Sequence, residues 1–132
     1  MEPKTHLGAD PALCGHIVEI GQGSARVALD TTEQMIVDGQ GLVHGGFEFG
    51  LADYAAMLAV NDPYVVLGGA ETRFLKPVRS GSRVLAVAET RSTKGRKHEV
   101  RVEASVGGEP VFEGTFTCIV LERHVLEGVG SN

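Results

Sequence analysis

The sequence predicts an α+β domain in which a curved antiparallel sheet of five or six strands wraps around one central helix. One segment, 46–60, is apolar on every side at helical spacing. Several segments rich in valine, threonine and phenylalanine have strand composition, and glycine-containing turns separate them at short intervals. The 132 residues are expected to form one domain, with its ends, 1–12 and 127–132, loosely held.

The predicted strands lie on both sides of this helix in the chain. Residues 16–30 are predicted to form a hairpin, because a Gly-Gln-Gly-Ser turn divides two short apolar runs. The extended segments that follow the helix are 64–75, 83–92, 97–106 and 110–121. In the third of them Val100, Val102, Ala104 and Val106 alternate with polar residues, so one face of the sheet meets water. The other face needs a cover, and the helix provides it.

The predicted helix is unusually apolar, because only Glu48, Asp53 and Tyr54 within 46–60 are polar. Pro63 disfavours its continuation. A helix that is apolar all round is buried, and one small sheet reaches only part of its circumference. We therefore expect a homodimer; whether two dimers associate further is open.

Charge and composition exclude several classes of protein. The formal net charge of −5 provides no overall basic field for a nucleic acid, so no nucleic-acid partner is expected. The first residues contain no apolar secretion signal, and no apolar stretch is long enough to span a membrane, so a cytoplasmic location is expected. Cys14 and Cys118 fit no paired metal-ligand spacing; reduced thiols are expected, with a disulfide as the alternative.

Several sequence motifs carry a resemblance to a known family. "HGG" opens the helix, "LAD" lies inside it, and "ETRFLKPVRSGSRVLAVAET" follows. In this order, over about residues 16–122, the chain resembles the hot-dog fold thioesterase superfamily, specifically the PaaI-like acyl-CoA thioesterases. The second half also resembles the malonyl-CoA-sensing effector domain of the lipid-synthesis repressor FapR. The helix-turn-helix segment of that repressor has no counterpart here, so DNA binding is not expected.

Two glycines, Gly45 and Gly46, fall at the start of the predicted helix. The first N–H groups of a helix have no internal partner and lie at the positive end of its dipole. Without a Cβ atom, both glycines allow a thioester carbonyl to approach the main chain. The resemblance implies that Gly45 supplies the N–H for the oxyanion. A tight loop-to-helix junction is the alternative use of the pair.

Asp53 lies on an apolar stripe of the helix with Phe49, Ala56, Met57 and Val60. Desolvation there raises the pKa of a carboxyl, as a general base working near neutrality requires. The resemblance implies that Asp53 is the catalytic base or nucleophile. A hydrogen bond to a neighbouring strand, or a cap for another element, is the alternative.

Gly45 and Asp53 are too far apart on one helix to serve one carbonyl group. Eight residues separate them by about 12 Å along the axis. Two antiparallel helices related by a twofold axis bring Gly45 of one subunit to Asp53 of the other. The sequence therefore predicts a site that two subunits share.

Four further residues near the helix are candidates. The resemblance implies that His44 donates a hydrogen bond to the thioester or orients it. The alternative is that His44 caps the helix or packs against it. Asp38 stands where many relatives carry an asparagine that positions the attacking water. Glu48 is a second candidate base, about 140° around the helix from Asp53, or a helix N-terminal charge. Tyr54 closes the acyl pocket or simply packs.

Positive charge is concentrated in the second half of the chain. The nucleotide end of coenzyme A is a polyanion, which these cations could contact. Solvated turn charges are the alternative. The candidates for substrate binding are Arg73, Lys94, Arg96 and Lys97.

The favoured activity is hydrolysis of an acyl-CoA by water that Asp53 activates, with no metal or redox cofactor. A non-catalytic acyl-CoA binder or sensor is the alternative. Asp53 discriminates between the two, because the resembling FapR-type domains lack an acid at this helix position. A hydratase or dehydratase is disfavoured, because it needs an aspartate and a histidine that are closer together in the sequence than Asp38 and His44. The length and polarity of the acyl group remain open.

Overall fold

The computed structural model describes residues 1–129, which form three α-helices, a short 3₁₀ helix at Glu33–Met35 and six strands. The α-helices are Pro11–Cys14 (α1), Gly45–Val60 (α2) and Val125–Val129 (α3). The strands are His16–Gly21 (β1), Ser24–Asp30 (β2), Val65–Phe74 (β3), Arg83–Lys94 (β4), Lys97–Val106 (β5) and Glu109–Val120 (β6). The main helix begins one residue earlier than predicted and ends at the predicted place.

All strand pairs in the described chain are antiparallel, in the order β1-β2-β4-β5-β6-β3. The predicted architecture, an antiparallel sheet of five or six strands around one central helix, is confirmed, and the number of strands is six. Strand β3 follows the helix directly but lies at one edge of the sheet, next to the last strand. Its outer side therefore has no partner strand within residues 1–129.

The core lies between α2 and the inner face of the sheet. Val100, Val102 and Ala104 are at most 1% exposed, which confirms the predicted alternation. Val106 is only partly buried, because it is the last residue of β5. Phe112 and Phe116 on β6 add the largest fully buried side chains. Strand β5 thus presents small aliphatic side chains to the helix, and β6 adds aromatic side chains to the same core.

Helix α2 is covered within one subunit more fully than the sequence analysis expected. Most of its side chains between 51 and 59 are buried, Asp53 and Tyr54 being the half-buried exceptions. The sheet does not supply this cover alone, because α1 also packs against α2. The homodimer therefore stays a prediction that rests on the site rather than on an uncovered helix.

The N-terminal segment is fastened to the end of α2. The Lys4 N–H donates to Oδ1 of Asn61 at 2.8 Å, and Nδ2 of Asn61 donates to the carbonyl oxygen of Glu2 at 2.9 Å. Thr5 is only 5% exposed. These bonds lie in the first of the two ends predicted to be loosely held; of the second, 130–132 are outside the described residues.

Gly15 joins α1 to β1 in a conformation that other residues avoid, with φ of 106°. A Cβ atom there would lie 2.8 Å from methyl carbons of both Leu51 and Val27. We expect Gly15→Ala to lower the free energy of unfolding by about 2 kcal/mol, because backbone strain and crowding add. Chemical denaturation measures this. Gly8→Ala is the control, since nothing lies within 4 Å of its Cβ position; equal stability of the two variants would contradict the prediction.

Candidate functional site

The start of α2 presents two main-chain donors without acceptors. His44 is the N-cap residue; its N–H donates to the Met35 carbonyl at 2.8 Å, and its carbonyl accepts from the Phe47 N–H at 3.0 Å. The N–H groups of Gly45 and Gly46 have no hydrogen-bond acceptor within the described part of the chain. Since α2 has 16 residues, these donors lie at the positive end of a full helix dipole.

Two rings flank these donors. A Cβ atom on Gly45 would lie 2.9 Å from Cε2 of Phe74, and one on Gly46 would lie 3.1 Å from Nε2 of His44. The His44 and Phe74 side chains are themselves exposed. The start of the helix is therefore an open cleft between an imidazole and a phenyl ring, and both positions favour glycine for lack of room.

Asp53 follows two turns later on the half-buried side of α2. Its Oδ1 is buried without a hydrogen-bond partner among the residues that the structure describes. Burial raises the pKa of this carboxyl to about 6, in the predicted direction. The structure contains no hydrogen bond from the described strands to Asp53, so the structural alternative finds no support.

The surroundings of Asp53 include Cys118 on β6. Burial raises the pKa of the Cys118 thiol to about 12, and the negative charge of Asp53 adds to this effect. Both cysteines are free thiols, as predicted. Cys118 is paired with His98 of β5, so Asp53 lies toward the β4–β5 hairpin. Gly45 lies toward the other end of the sheet, and one subunit does not bring Gly45 and Asp53 together.

Glu48 lies on the side of α2 that faces the core. It is 2% exposed and its Oε2 has no hydrogen-bond partner within residues 1–129, so a substrate does not reach it in a single subunit, and its role as a second base stays a prediction. Burial raises the pKa of Glu48 to about 7. Its position, beside Leu51, Ala52 and Ala55 on the helix, was the signal for this burial.

Asp38 stabilises the loop before α2. Its Oδ1 accepts the N–H groups of Gln40 at 2.9 Å and Leu42 at 3.2 Å, and these bonds lower the pKa of the exposed carboxyl. A surface cavity of about 280 Å³ lies beside it, lined in part by Leu42 and Arg79. Asp38 thus stands near the helix start, with one oxygen already occupied by the main chain.

Tyr54 faces the N-terminal segment. Its ring centroid lies 6.4 Å from that of His6, and burial, followed by the influence of Cys14, raises the pKa of its hydroxyl. These neighbours agree with the packing interpretation of Tyr54.

The candidate cations do not gather around Gly45 of the same subunit. Arg73 lies opposite Glu113 on the outer face of the sheet. In the β4–β5 hairpin, Arg96 forms an ion pair with Glu122, and Lys97 is 3.7 Å from Glu99.

The β4–β5 hairpin lies far along the sheet from the start of α2, as the pairing of β5 with β6 shows. Lys97 is opposite Ile119, whereas Ala104 is opposite Phe112, whose ring packs on Phe74 beside Gly45. The seven residue-to-residue steps from Lys97 to Ala104 along β5 span about 23 Å. The cations Lys94, Arg96 and Lys97 therefore lie at the end of the sheet nearer to Asp53.

Comparison with known proteins identifies the family. Residues 40–113, from the loop before α2 into β6, match the model of the thioesterase superfamily. The chain belongs to the thioesterase superfamily. This superfamily member has the hot-dog fold, and the motifs around "HGG" and "LAD" identified the family correctly.

Two solved structures resemble this thioesterase-superfamily chain closely. An uncharacterised protein of Pyrococcus horikoshii is 52% identical, with a TM-score of 0.95 over 96% of this chain and 97% of the other. A variant of the phenylacetic acid degradation protein PaaI from Thermus thermophilus is 32% identical, with a TM-score of 0.77 over 85% and 100% of the two chains. The predicted likeness to PaaI is confirmed.

Two curated relatives are longer than this superfamily member. A methylthioribose-1-phosphate isomerase of Aquifex aeolicus is 49% identical over 92% of this chain but only 26% of its own length. The transcription factor FapR of Caldanaerobacter subterraneus is 29% identical over 94% of this chain and 62% of its own. The predicted similarity to FapR is thus confirmed, and the chain spans only part of both relatives.

Two features are absent from the described residues. No three side chains of His, Cys, Asp or Glu within 1–129 are grouped as metal ligands would be. None of the helices in this range combines the length and apolar character needed to cross a membrane.

Sequence reasoning missed one residue of the site in this thioesterase-superfamily chain. Phe74 ends the strand that precedes "LKPV", and its ring covers the Gly45 position. The order of residues gives no signal for a contact between positions 29 residues apart, because the sheet order β6-β3 creates it.

Proposed function

We propose that this chain is an acyl-CoA thioesterase whose active site is shared by two subunits. The observation that carries the proposal is the Asp53 carboxylate, which is half-buried with one oxygen lacking a partner within the described chain. Such a group is costly to keep without a use. Membership of the thioesterase superfamily supports the same reaction.

In the proposed reaction Asp53 acts as a general base on water. The carboxylate takes one proton from water, and the water oxygen attacks the thioester carbon to form a tetrahedral oxyanion. This oxyanion accepts a hydrogen bond from the Gly45 N–H, which preorganised geometry makes effective. The carbon–sulfur bond then breaks, and the proton held by Asp53 goes to the leaving sulfur. The products are a carboxylic acid and free coenzyme A, and no metal or redox group takes part.

The other predicted residues have supporting places in this proposal. His44 stands beside the Gly46 position and donates to the thioester or orients it. Asp38 is an exposed carboxylate that the loop holds near the helix start, where it can accept a hydrogen bond from the attacking water.

Gly45 and Asp53 are far apart in one subunit, but a twofold axis between two subunits allows them to contribute to one site. Antiparallel α2 helices bring the Gly45 end of one subunit to the Asp53 end of its mate. The hairpin with Lys94, Arg96 and Lys97 lies toward the Asp53 end, so the mate presents these cations to the nucleotide phosphates. The unpaired side of β3 is available for a partner.

A second candidate function is acyl-CoA binding without turnover. The similarity to FapR supports it, because that relative is named as a transcription factor. Binding would use the same cleft, and Asp53 would then have no chemical task.

A panel of short, long and aryl acyl-CoA thioesters, with detection of free thiol, tests the proposal. We expect hydrolysis of at least one class by a species whose mass in native mass spectrometry is that of a dimer or a multiple of it. Binding of acyl-CoA without thiol release would favour the second candidate. Full activity in a strictly monomeric species would contradict the shared site.

A further inference from the structure

The side chain of Phe74 lies on the inner face of the sheet but is about half exposed to solvent. It is the last residue of β3 and lies opposite Phe112, which is fully buried. The two rings form an edge contact, with centroids 5.1 Å apart and planes at 77°. Phe74 is nevertheless 54% exposed, because it ends an edge strand. One side of its ring is therefore held by packing and the rest is free.

This ring is held against the Gly45 donor. Its Cε2 atom is 2.9 Å from the Cβ position of Gly45, so it lies within about 4.4 Å of Cα, since a carbon–carbon bond adds about 1.5 Å. An oxygen that accepts from the Gly45 N–H lies about 2.9 Å from the nitrogen. With the N–Cα bond of about 1.5 Å, that oxygen is at most about 8.8 Å from Cε2, a gap that the carbonyl carbon and the first acyl carbons can fill.

We propose that Phe74 is a specificity-determining residue that contacts the acyl carbons next to the thioester carbonyl and holds the carbonyl oxygen on the Gly45 N–H. This inference rests on the proposed acyl-CoA site. The face of a phenyl ring carries partial negative charge, and the ring is apolar. It favours acyl groups whose first carbons are uncharged and disfavours a carboxylate at the β-carbon.

Butyryl-CoA and malonyl-CoA form a matched pair for this test, because they have similar size and differ in charge at the far end of the acyl group. We expect the parent to have at least a tenfold higher kcat/KM for the butyryl ester. Phe74→Ala is expected to lower kcat/KM for butyryl-CoA at least about tenfold, because the carbonyl loses its support, and to reduce the preference over malonyl-CoA. A parent that prefers malonyl-CoA, or an unchanged preference in the variant, overturns the inference.

Two controls separate this role from a structural one. Leu75→Ala changes the next residue, which is 42% exposed, and is expected to change kcat/KM less than threefold. Phe74→Leu retains apolar packing without the aromatic face, and is expected to keep the parent's mass and melting temperature while losing most of the preference for butyryl-CoA. Parent-like preference in Phe74→Leu would show that the ring has no such role.

Binding keeps this inference distinct from the proposed hydrolysis. S-(2-oxopentyl)-CoA retains the carbonyl and the propyl group of butyryl-CoA but cannot be hydrolysed. If the parent releases no thiol from any ester yet binds this ketone at least tenfold more tightly than Phe74→Ala does, the thioesterase proposal fails and the role of Phe74 stands. Equal binding by the two proteins, or no binding by the parent, overturns the role of Phe74.

Discussion

Replacing Asp53 with asparagine is expected to lower the rate of thiol release by about 10² to 10⁴-fold, the usual contribution of a general base. Asparagine has nearly the same shape but cannot accept the proton of the attacking water. Binding of S-(2-oxopentyl)-CoA, measured by calorimetry, is expected to change less than about threefold. A variant that hydrolyses at the parent's rate would remove Asp53 from the mechanism.

The pH dependence of the parent provides a second test of the same residue. The base is active only when ionised, and burial raises the pKa of Asp53 to about 6. We therefore expect kcat/KM to fall as the pH is lowered through about 6 and to reach a plateau above it. Glu48→Gln is the matched control, and it is expected to keep this acidic limb. Loss of the acidic limb in Glu48→Gln would show that the limb reports the ionisation of Glu48 and not of Asp53.

Replacing Glu48 with glutamine is expected to change how stability depends on pH. Below pH about 4.5 the Glu48 carboxyl is neutral in both the folded and the unfolded chain. As the pH rises, the unfolded chain ionises first, because burial raises the folded-state pKa to about 7. Parent stability therefore falls between about pH 4.5 and 7, and the whole cost remains at higher pH. That cost is about 3 kcal/mol, since each tenfold change in acidity is worth about 1.4 kcal/mol.

Glutamine at position 48 does not ionise, so the comparison isolates this cost. The free energy of unfolding of Glu48→Gln minus that of the parent is expected to rise by about 3 kcal/mol between pH 4.5 and pH 8.5. Urea denaturation at one protein concentration measures both proteins, because dimerisation contributes to apparent stability. Glu33→Gln removes an exposed carboxyl and is expected to stay within about 0.5 kcal/mol of the parent. A difference that does not vary with pH would contradict the buried location of Glu48.

Most of the fold could be predicted because its signals are local. The apolar run of 45–60, the alternation of Val100, Val102 and Ala104, and the turns between strands depend only on neighbouring residues. Strand order and the cover from α1 are different. They depend on which apolar surfaces meet at long range, which the order of residues does not encode locally.

The candidate site was predicted in part for the same reason. Gly45 and Asp53 were identified from their places on one helix and from the resemblance, and the direction of the Asp53 pKa shift followed from its apolar neighbours. The hydrogen bonds of Asp38 to its own loop and the contact of Tyr54 with His6 depend on how the chain folds back on itself. The role of Asp38 was therefore inferred from resemblance, the two uses of Tyr54 were left open, and the neighbours of both side chains had to be found in the structure.

The sequence by itself determined the class of fold and the helix that carries both a pair of free N–H groups and an acid, because periodicity is a property of short segments. The family followed from the resemblance of its motifs, which are also short segments. Only the tertiary structure decided that Phe74 covers Gly45, that Glu48 is enclosed in the core, and that the basic hairpin lies nearer to Asp53. The physical reason is that each of these contacts joins elements through the order of strands in the sheet. Side-chain burial and electrostatic surroundings are set by those contacts.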